Sequence, residues 1–153
     1  DEVAFNNKVV TNIDREAPTM SNVSGNPSDY VNTDVILTIN GATDNSGMLA
    51  DKPYSFDNGA TWQIENTKVY TENESDIIIK VKDYAGNIYT YPKINVDYID
   101  KIAPIISNVG GNPTEYVNTD VTLTINGAED TLSGLHKTEA YSFEGGNTWQ
   151  VIN

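Results

Sequence analysis

Residues 17–42 have the sequence APTMSNVSGNPSDYVNTDVILTINGA, and residues 103–128 have the sequence APIISNVGGNPTEYVNTDVTLTINGA. The two segments are 86 residues apart and are identical at 20 of 26 positions. Further along the chain, YSFDNGATWQ at 54–63 returns as YSFEGGNTWQ at 141–150, at an offset of 87. The chain therefore contains an internal repeat, which predicts a tandem architecture of similar units.

The repeat divides the chain into three parts. We expect residues 1–14 to be the C-terminal strand of a preceding repeat, because the sequence Ile-Asp-Arg at 13–15 matches Ile-Asp-Lys at 99–101. Residues 15–100 then form one complete repeat, and residues 101–153 form the N-terminal part of a second. A partial repeat exposes unpaired strand edges and half a core, so we expect this last part to be poorly ordered or paired with another molecule.

Period-two alternation of apolar residues predicts short strands throughout the repeat. Val35, Leu37 and Ile39 are predicted to point inward, whereas Ile36, which becomes Thr122 in the second copy, is predicted to face solvent. The other inward sets are Ile77, Ile79 and Val81, and Ile94, Val96 and Tyr98. Seven strands are predicted in one repeat, at 18–23, 34–39, 53–56, 61–64, 68–71, 76–82 and 88–99. Seven short strands separated by turns predict an all-β, immunoglobulin-like sandwich.

The composition excludes several classes of function. The chain has 22 acidic and 9 basic residues, a formal net charge of −13 and no cysteine. Such negative charge disfavours nucleic acid and anionic membranes, and no apolar stretch is long enough to insert into a bilayer. Without cysteine there are no disulfides, thiolate metal sites or cysteine nucleophiles. His136, the single histidine, has no counterpart in the first copy, so we expect no catalytic triad and no enzymatic activity.

Four stretches resemble the bacterial Ig-like tandem repeats of large surface proteins of Gram-positive bacteria. They are DNSGM at 44–48, YSFDNGATWQ at 54–63, IIIKVKDYAGNIYTY at 77–91 and NVDYIDKIAP at 95–104. The resemblance extends over essentially the whole chain. It implies an extracellular, adhesin-type protein of the bacterial cell surface, in which adjacent repeats of the same chain form a stalk or spacer for a head domain.

Three aspartates are predicted to meet at one end of the complete repeat. If successive strands are antiparallel, the linker before the first strand, the loop after the second and the turn before the last all lie at that end. This arrangement brings together Asp14, Asp44 and Asp83, with the side chains of Asn45 and Asn87 nearby. Calcium takes about six to eight oxygen ligands in irregular geometry, so the sequence predicts a calcium site at the junction between repeats.

The resemblance supports the calcium interpretation, because related bacterial repeats hold calcium at their junctions. In the second copy, Asp100 and Asp130 are the corresponding carboxylates. Aspartate and asparagine also form turns by hydrogen bonding to their own backbone, and the same pattern fits that role. Both interpretations remain open at the level of sequence.

Aromatic residues provide a second candidate site. Tyr54 and Trp62, with their copies Tyr141 and Trp149, have the chemistry of a platform that stacks against the sugar rings of a host or cell-wall glycan. The same residues are equally suited to cross-strand packing. Two alternatives to a spacer therefore remain: an adhesion module that binds carbohydrate or protein, and a self-assembling extracellular filament or surface-layer subunit whose copies exchange strands.

Overall fold

The computed structural model describes residues 9–152, which form an all-β chain in two compact units. Unit 1 comprises the described residues 9–29 and 34–99, and unit 2 comprises 30–33 and 100–152. None of the described residues is helical, and the described chain accordingly has no helix that could cross a membrane. The predicted strand of a preceding repeat lies mainly outside the described residues, and its last six residues form no strand.

The described part of unit 1 has three small antiparallel sheets. The first has the order β1-β2-β4 and consists of Asn22–Ser24 (β1), Val35–Asn40 (β2) and Thr67–Tyr70 (β4). The second has the order β3-β6-β7 and consists of Tyr54–Ser55 (β3), Lys80–Lys82 (β6) and Ile88–Thr90 (β7). The third pairs Glu74–Ile77 (β5) with Ile94–Val96 (β8).

Unit 2 contains one pair of antiparallel strands among its described residues, Asn108–Gly110 (β9) and Thr124–Asn126 (β10). Val109 pairs with Ile125 in the same register in which Val23 pairs with Ile39 between β1 and β2. Matching sequence therefore adopts matching strand pairing. Besides this strand pair, unit 2 has the bridges between Ile105 and Glu129 and between Tyr141 and Gln150, and a buried Ile125.

The core of unit 1 follows the predicted alternation. Val35, Leu37 and Ile39 of β2 are buried, whereas Ile36 is 52% exposed. The second predicted set is also correct, since Ile77, Ile79 and Val81 are all buried. The third set is only partly correct: Val96 is buried, but Tyr98 is exposed and its neighbour Ile99 is buried instead.

Three predicted strands are missing or divided in the structure. Residues 61–64 form no strand, and only Gln63 bridges to Tyr54. The predicted strand 76–82 divides into β5 and β6, which belong to different sheets. Asp76 has a φ of 61° and the β5–β8 register shifts between Glu74 and Ile77, so the ladder is interrupted there. The predicted strand 88–99 divides into β7 and β8 around Pro92, which has no N–H for a ladder.

Candidate functional site

The three predicted aspartates meet in unit 1. Asp14 precedes β1, Asp44 follows β2 and Asp83 follows β6, and one carboxylate oxygen of each lies within 4.8 Å of the others. Alternating strand direction accounts for the convergence. The C-terminal ends of β2 and β6 lie at the same end of the unit, so the loop after β2 and the turn after β6 are close to each other. Three segments far apart in the chain therefore present carboxylates to one point.

Asp83 is the most constrained member of the cluster, with none of its surface exposed. Its carboxylate accepts the backbone N–H of Asn87 at 2.7 Å and the side-chain amide of Asn87 at 2.8 Å. A buried carboxylate without such donors would be strongly disfavoured. These two hydrogen bonds also close the turn between β6 and β7, so Asp83 links the turn to the cluster.

Asp44 and Asp14 are held by short-range hydrogen bonds. Ser46 donates from its backbone N–H and its hydroxyl to Oδ1 of Asp44, both at 2.8 Å. Glu16 donates its backbone N–H to Oδ1 of Asp14 at 3.0 Å. The other carboxylate oxygen of Asp14, Oδ2, is buried and has no hydrogen-bond partner. A buried oxygen of this kind is an open ligand position for a cation.

The electrostatics of the cluster favour the charged form of Asp14. The nearby Ser46 side chain and the backbone N–H of Glu16 lower the pKa of Asp14 below its ordinary value, against an opposing effect of burial. Elsewhere in the described chain, Lys93 and Asp76 form an ion pair at 2.9 Å. The cluster is thus anionic and is not neutralised by a basic side chain within the described chain.

The three carboxylates could hold a metal ion. Carboxylate oxygens are the ligands that calcium prefers, and backbone carbonyls and water complete its flexible shell, whereas magnesium requires near-octahedral geometry. An open cleft of about 810 Å³ lies beside the cluster and is lined in part by Asp14, Asn45 and Ser46, but not by Asp44 or Asp83. The unpartnered oxygen of Asp14 supplies the observation that favours a cation over a simple turn.

The two predicted asparagines lie beside carboxylates. Asn87 donates its side-chain amide N–H to Asp83 at 2.8 Å, and Asn45 donates to Glu16 at 3.3 Å. In this structure both side chains are hydrogen-bond donors to carboxylates. The residue that sequence reasoning missed is Ser46; its signal was the recurrence of Ser46-Gly47 as Ser133-Gly134.

Unit 2 contains part of the same arrangement. Ser133 donates its backbone N–H to Asp100 at 3.0 Å and its hydroxyl to Asp130 at 3.2 Å. The Ser133 side chain and the backbone N–H of Ile102 lower the pKa of Asp100, although burial opposes the effect. Within the described chain no third acidic residue joins Asp100 and Asp130. The second copy therefore has two of the three carboxylates.

The predicted aromatic platform is only partly available in unit 1. The ammonium of Lys82 lies 3.7 Å from the centroid of the Trp62 ring, and the indole N–H bonds to the Gly59 carbonyl at 3.1 Å. Tyr54 is paired with Val81 and bridged to Gln63. The side chains of Trp62 and Tyr54 are half-buried, and Lys82 lies over the Trp62 ring. Their copies Trp149 and Tyr141 lie in unit 2, where Trp149 is 53% exposed.

A separate carboxylate, Asp57, makes the stability of unit 1 depend on pH. Burial raises the pKa of Asp57, but hydrogen bonds from the Thr61 hydroxyl and backbone and from Ser55 outweigh it, and the net pKa is lowered. A lowered pKa stabilises the fold fully above the unfolded-state value of about 3.9, and this contribution is lost as the pH falls through the folded-state pKa. We expect the melting temperature, measured in chelator, to fall steeply below about pH 4.

The Asp57→Asn variant is expected to lose about 1 kcal/mol at neutral pH and to have a shallower acid transition. Asp51→Asn is the matched control, because Asp51 is exposed and its change should leave both quantities unaltered. Identical acid transitions for Asp57→Asn and the parent chain would contradict the prediction.

Comparison of the chain with protein-family models, with curated proteins and with solved structures gave no significant match.

Proposed function

We propose that this chain is a non-enzymatic structural spacer of a bacterial cell-surface or secreted protein of adhesin type. In this proposal the repeats are tandem immunoglobulin-like β-sandwiches, and calcium at the Asp14, Asp44 and Asp83 cluster stiffens the entry into each repeat. The partners are neighbouring repeats of the same chain, and the function is mechanical reach. The observation that carries the proposal is the convergence of three carboxylates from distant segments on one point.

The strand neighbours of unit 1 support the immunoglobulin-like part of the proposal. In that architecture the first strand neighbours the second and the second neighbours the fifth, while the third, sixth and seventh form the other sheet. We count β4, β6 and β7 as the fifth, sixth and seventh predicted strands. The sheet β1-β2-β4 then joins the first, second and fifth strands, and the sheet β3-β6-β7 joins the third, sixth and seventh. The fourth predicted strand departs from that order, because Gln63 bridges to Tyr54 of the third predicted strand rather than to the fifth.

The cluster supports the stiffening role through its position in the chain. Asp14 belongs to the segment that leads into β1, whereas Asp44 and Asp83 belong to loops of the folded unit. An ion bound by all three would tie the leading segment to the unit and reduce its freedom to rotate. Because a ligand that binds only the folded state stabilises it, bound calcium would also raise the stability of unit 1.

Calcium titration tests the proposal directly. Isothermal titration of the metal-free chain is expected to give one site in unit 1, and calcium at about 100 times its Kd is expected to add about 2.7 kcal/mol to the free energy of unfolding. Asp14→Asn and Asp44→Asn should abolish both effects. Asparagine keeps the hydrogen-bonding geometry of a turn former, so these variants remove the ligand charge and spare the turn.

Asp51→Asn is the matched control for this experiment, since Asp51 lies in the same loop region as Asp44 but outside the cluster. It should bind calcium like the parent chain. If chelator leaves the melting temperature of the parent chain unchanged and titration detects no calcium, the aspartates are turn formers and the stiffening role is wrong.

A further inference from the structure

The chain contains three Asn-Gly pairs, at 40–41, 58–59 and 126–127. In such a pair the backbone nitrogen of the glycine can attack the side-chain amide of the asparagine, because glycine has no side chain to obstruct the approach. The reaction releases ammonia and converts the asparagine into an acidic residue. The three pairs have different surroundings in the folded chain, so we expect them to react at different rates.

The first pair is held by the strands β1 and β2. The side-chain amide of Asn40 donates to the Asn22 side chain at 2.8 Å and to the Ser24 hydroxyl at 2.9 Å. The carbonyl of Asn40 accepts the backbone N–H of Ser21 at 2.9 Å. The amide and the peptide bond that follows it can therefore turn toward each other only if β1 separates from β2.

The third pair repeats this arrangement in unit 2. The side-chain amide of Asn126 donates to the Asn108 side chain at 2.8 Å, and the carbonyl of Asn126 accepts the backbone N–H of Ser107 at 2.9 Å. Both contacts join β10 to β9 or to the residue before it. This pair, too, can react only when two strands separate.

The second pair lies outside the strands, in the turn that follows β3. Asn58 is exposed, and its side chain makes no hydrogen bond with the described residues. The backbone N–H of Gly59, which belongs to the reacting peptide bond, donates to the Ser55 hydroxyl at 2.8 Å. The backbone N–H of Asn58 takes no part in the reaction and bonds to the Ile78 carbonyl at 2.9 Å. Opening this turn leaves the strands paired, and such local openings cost less free energy than separating strands.

The Ser55 hydroxyl restrains the nitrogen that would attack. The nitrogen of Gly59 becomes a nucleophile after it loses its proton, and in the closed turn this proton is bonded to Ser55. Ser55 is 1% exposed and donates its own proton to Oδ1 of Asp57 at 2.8 Å, so its position is fixed. The closed turn therefore slows the reaction, and the reaction proceeds when Gly59 leaves Ser55.

We propose that Asn58 is the site at which this chain deamidates, and that the Ser55 hydroxyl controls the rate. The nitrogen of Gly59 forms a bond to Cγ of Asn58 while the bond from Cγ to Nδ2 breaks. The amide group leaves as ammonia, taking up a proton in place of the one that Gly59 has lost. Water then opens the succinimide at either carbonyl and gives aspartate or isoaspartate. The proposal depends on the turn and not on calcium or on the spacer role.

The isoaspartate product weakens unit 1. It routes the main chain through the former side chain and adds one carbon atom to the backbone of a tight turn, in which Asn58 and Gly59 have φ values of 60° and 88°. The lengthened turn cannot keep both Gly59 on Ser55 and the backbone N–H of Thr61 on Asp57, a contact of 2.8 Å. Unit 1 therefore loses stability as the protein ages.

The second copy of the turn cannot undergo this reaction. It has Glu-Gly-Gly at 144–146 in place of Asp-Asn-Gly at 57–59. The Ser142 hydroxyl nevertheless accepts the backbone N–H of Gly146 at 2.8 Å, as Ser55 does from Gly59. The restraining contact is present in both copies, and the reactive amide only in the first.

The test incubates the full chain at mildly alkaline pH and follows each Asn-Gly pair by peptide mapping with mass spectrometry and by enzymatic methylation of isoaspartate. In the folded chain, Asn58 is expected to react at least about tenfold faster than Asn40 and Asn126, because only its pair is released by a local opening. In urea the three pairs should react at similar rates, since the dipeptide is the same. Asn58→Gly, which reproduces Gly145, should prevent the slow fall in melting temperature of unit 1.

Ser55→Ala should raise the rate at Asn58 at least about threefold relative to the rate at Asn40 in the same sample, which corrects for any general loss of stability in unit 1. Ser142→Ala removes the same contact from the second copy and is the matched control, so it should leave the rate at Asn58 unaltered. Reaction of Asn40 or Asn126 as fast as Asn58 in the folded chain would overturn the proposal. So would a ratio of the Asn58 and Asn40 rates that Ser55→Ala leaves unchanged.

Discussion

Leu37→Ala is expected to lower the free energy of unfolding of unit 1 by about 3 to 5 kcal/mol. Leu37 is completely buried in the middle of β2, and β2 lies between β1 and β4 in its sheet. The change removes three carbon atoms from a packed core and leaves a cavity that the sheet cannot close. Such a loss is a large part of the stability of a domain of this size.

The chain offers a matched control for this prediction. Leu123 is the copy of Leu37 in the second repeat, with the same neighbours Thr124 and Ile125, but it is 42% exposed. Leu123→Ala is expected to cost less than about 1 kcal/mol. Urea unfolding of unit 1 can be followed through Trp62 fluorescence in a Trp149→Phe background, and that of unit 2 through Trp149 fluorescence in a Trp62→Phe background. Equal losses at the two leucines would show that burial does not determine the difference.

Gly25→Ala is expected to destabilise unit 1 by more than about 3 kcal/mol. Gly25 follows β1 with a φ of 93°, a conformation that favours glycine, and a Cβ at this position would lie within 1.9 Å of the Ile36 carbonyl oxygen. The contacting atom belongs to the backbone of β2, so the clash can be relieved only by separating β1 from β2. We expect the variant to have a lower melting temperature, and we expect faster amide exchange at both ends of the β1–β2 strand pair.

Gly47→Ala separates the two causes of that effect. Gly47 has a φ of 87°, but an added Cβ would meet nothing within 4 Å. It should therefore cost only the conformational penalty of about 1 to 2 kcal/mol. The difference between the two variants measures the close approach of Gly25 to β2. If both substitutions lower the free energy of unfolding by the same amount, the close approach of Gly25 to β2 does not contribute to the effect.

The candidate site was predictable from sequence to the extent that it depends on strand direction. The alternating direction of successive strands was enough to predict that Asp14, Asp44 and Asp83 lie at one end of the repeat, and their carboxylates do lie close together. The contributions of the neighbours were not predictable. A side-chain amide offers both N–H donors and an oxygen, and only the surrounding carboxylates select the donor side of Asn45 and Asn87.

The repeat and the alternation of side chains in the main strands could be predicted from the sequence, because both are local patterns. Leu37 and Val81 are buried as alternation predicts, whereas Leu123, in the same pattern as Leu37, is 42% exposed, so burial also depends on the strands that cover a position. Three features could be seen only in the folded chain. They are the division of residues 76–82 between two sheets, the complete burial of Asp83, and the position of Lys82 over the Trp62 ring. These features depend on strand edges that come from distant parts of the chain, and the competition among many weak non-local contacts leaves no signature in a short stretch of sequence.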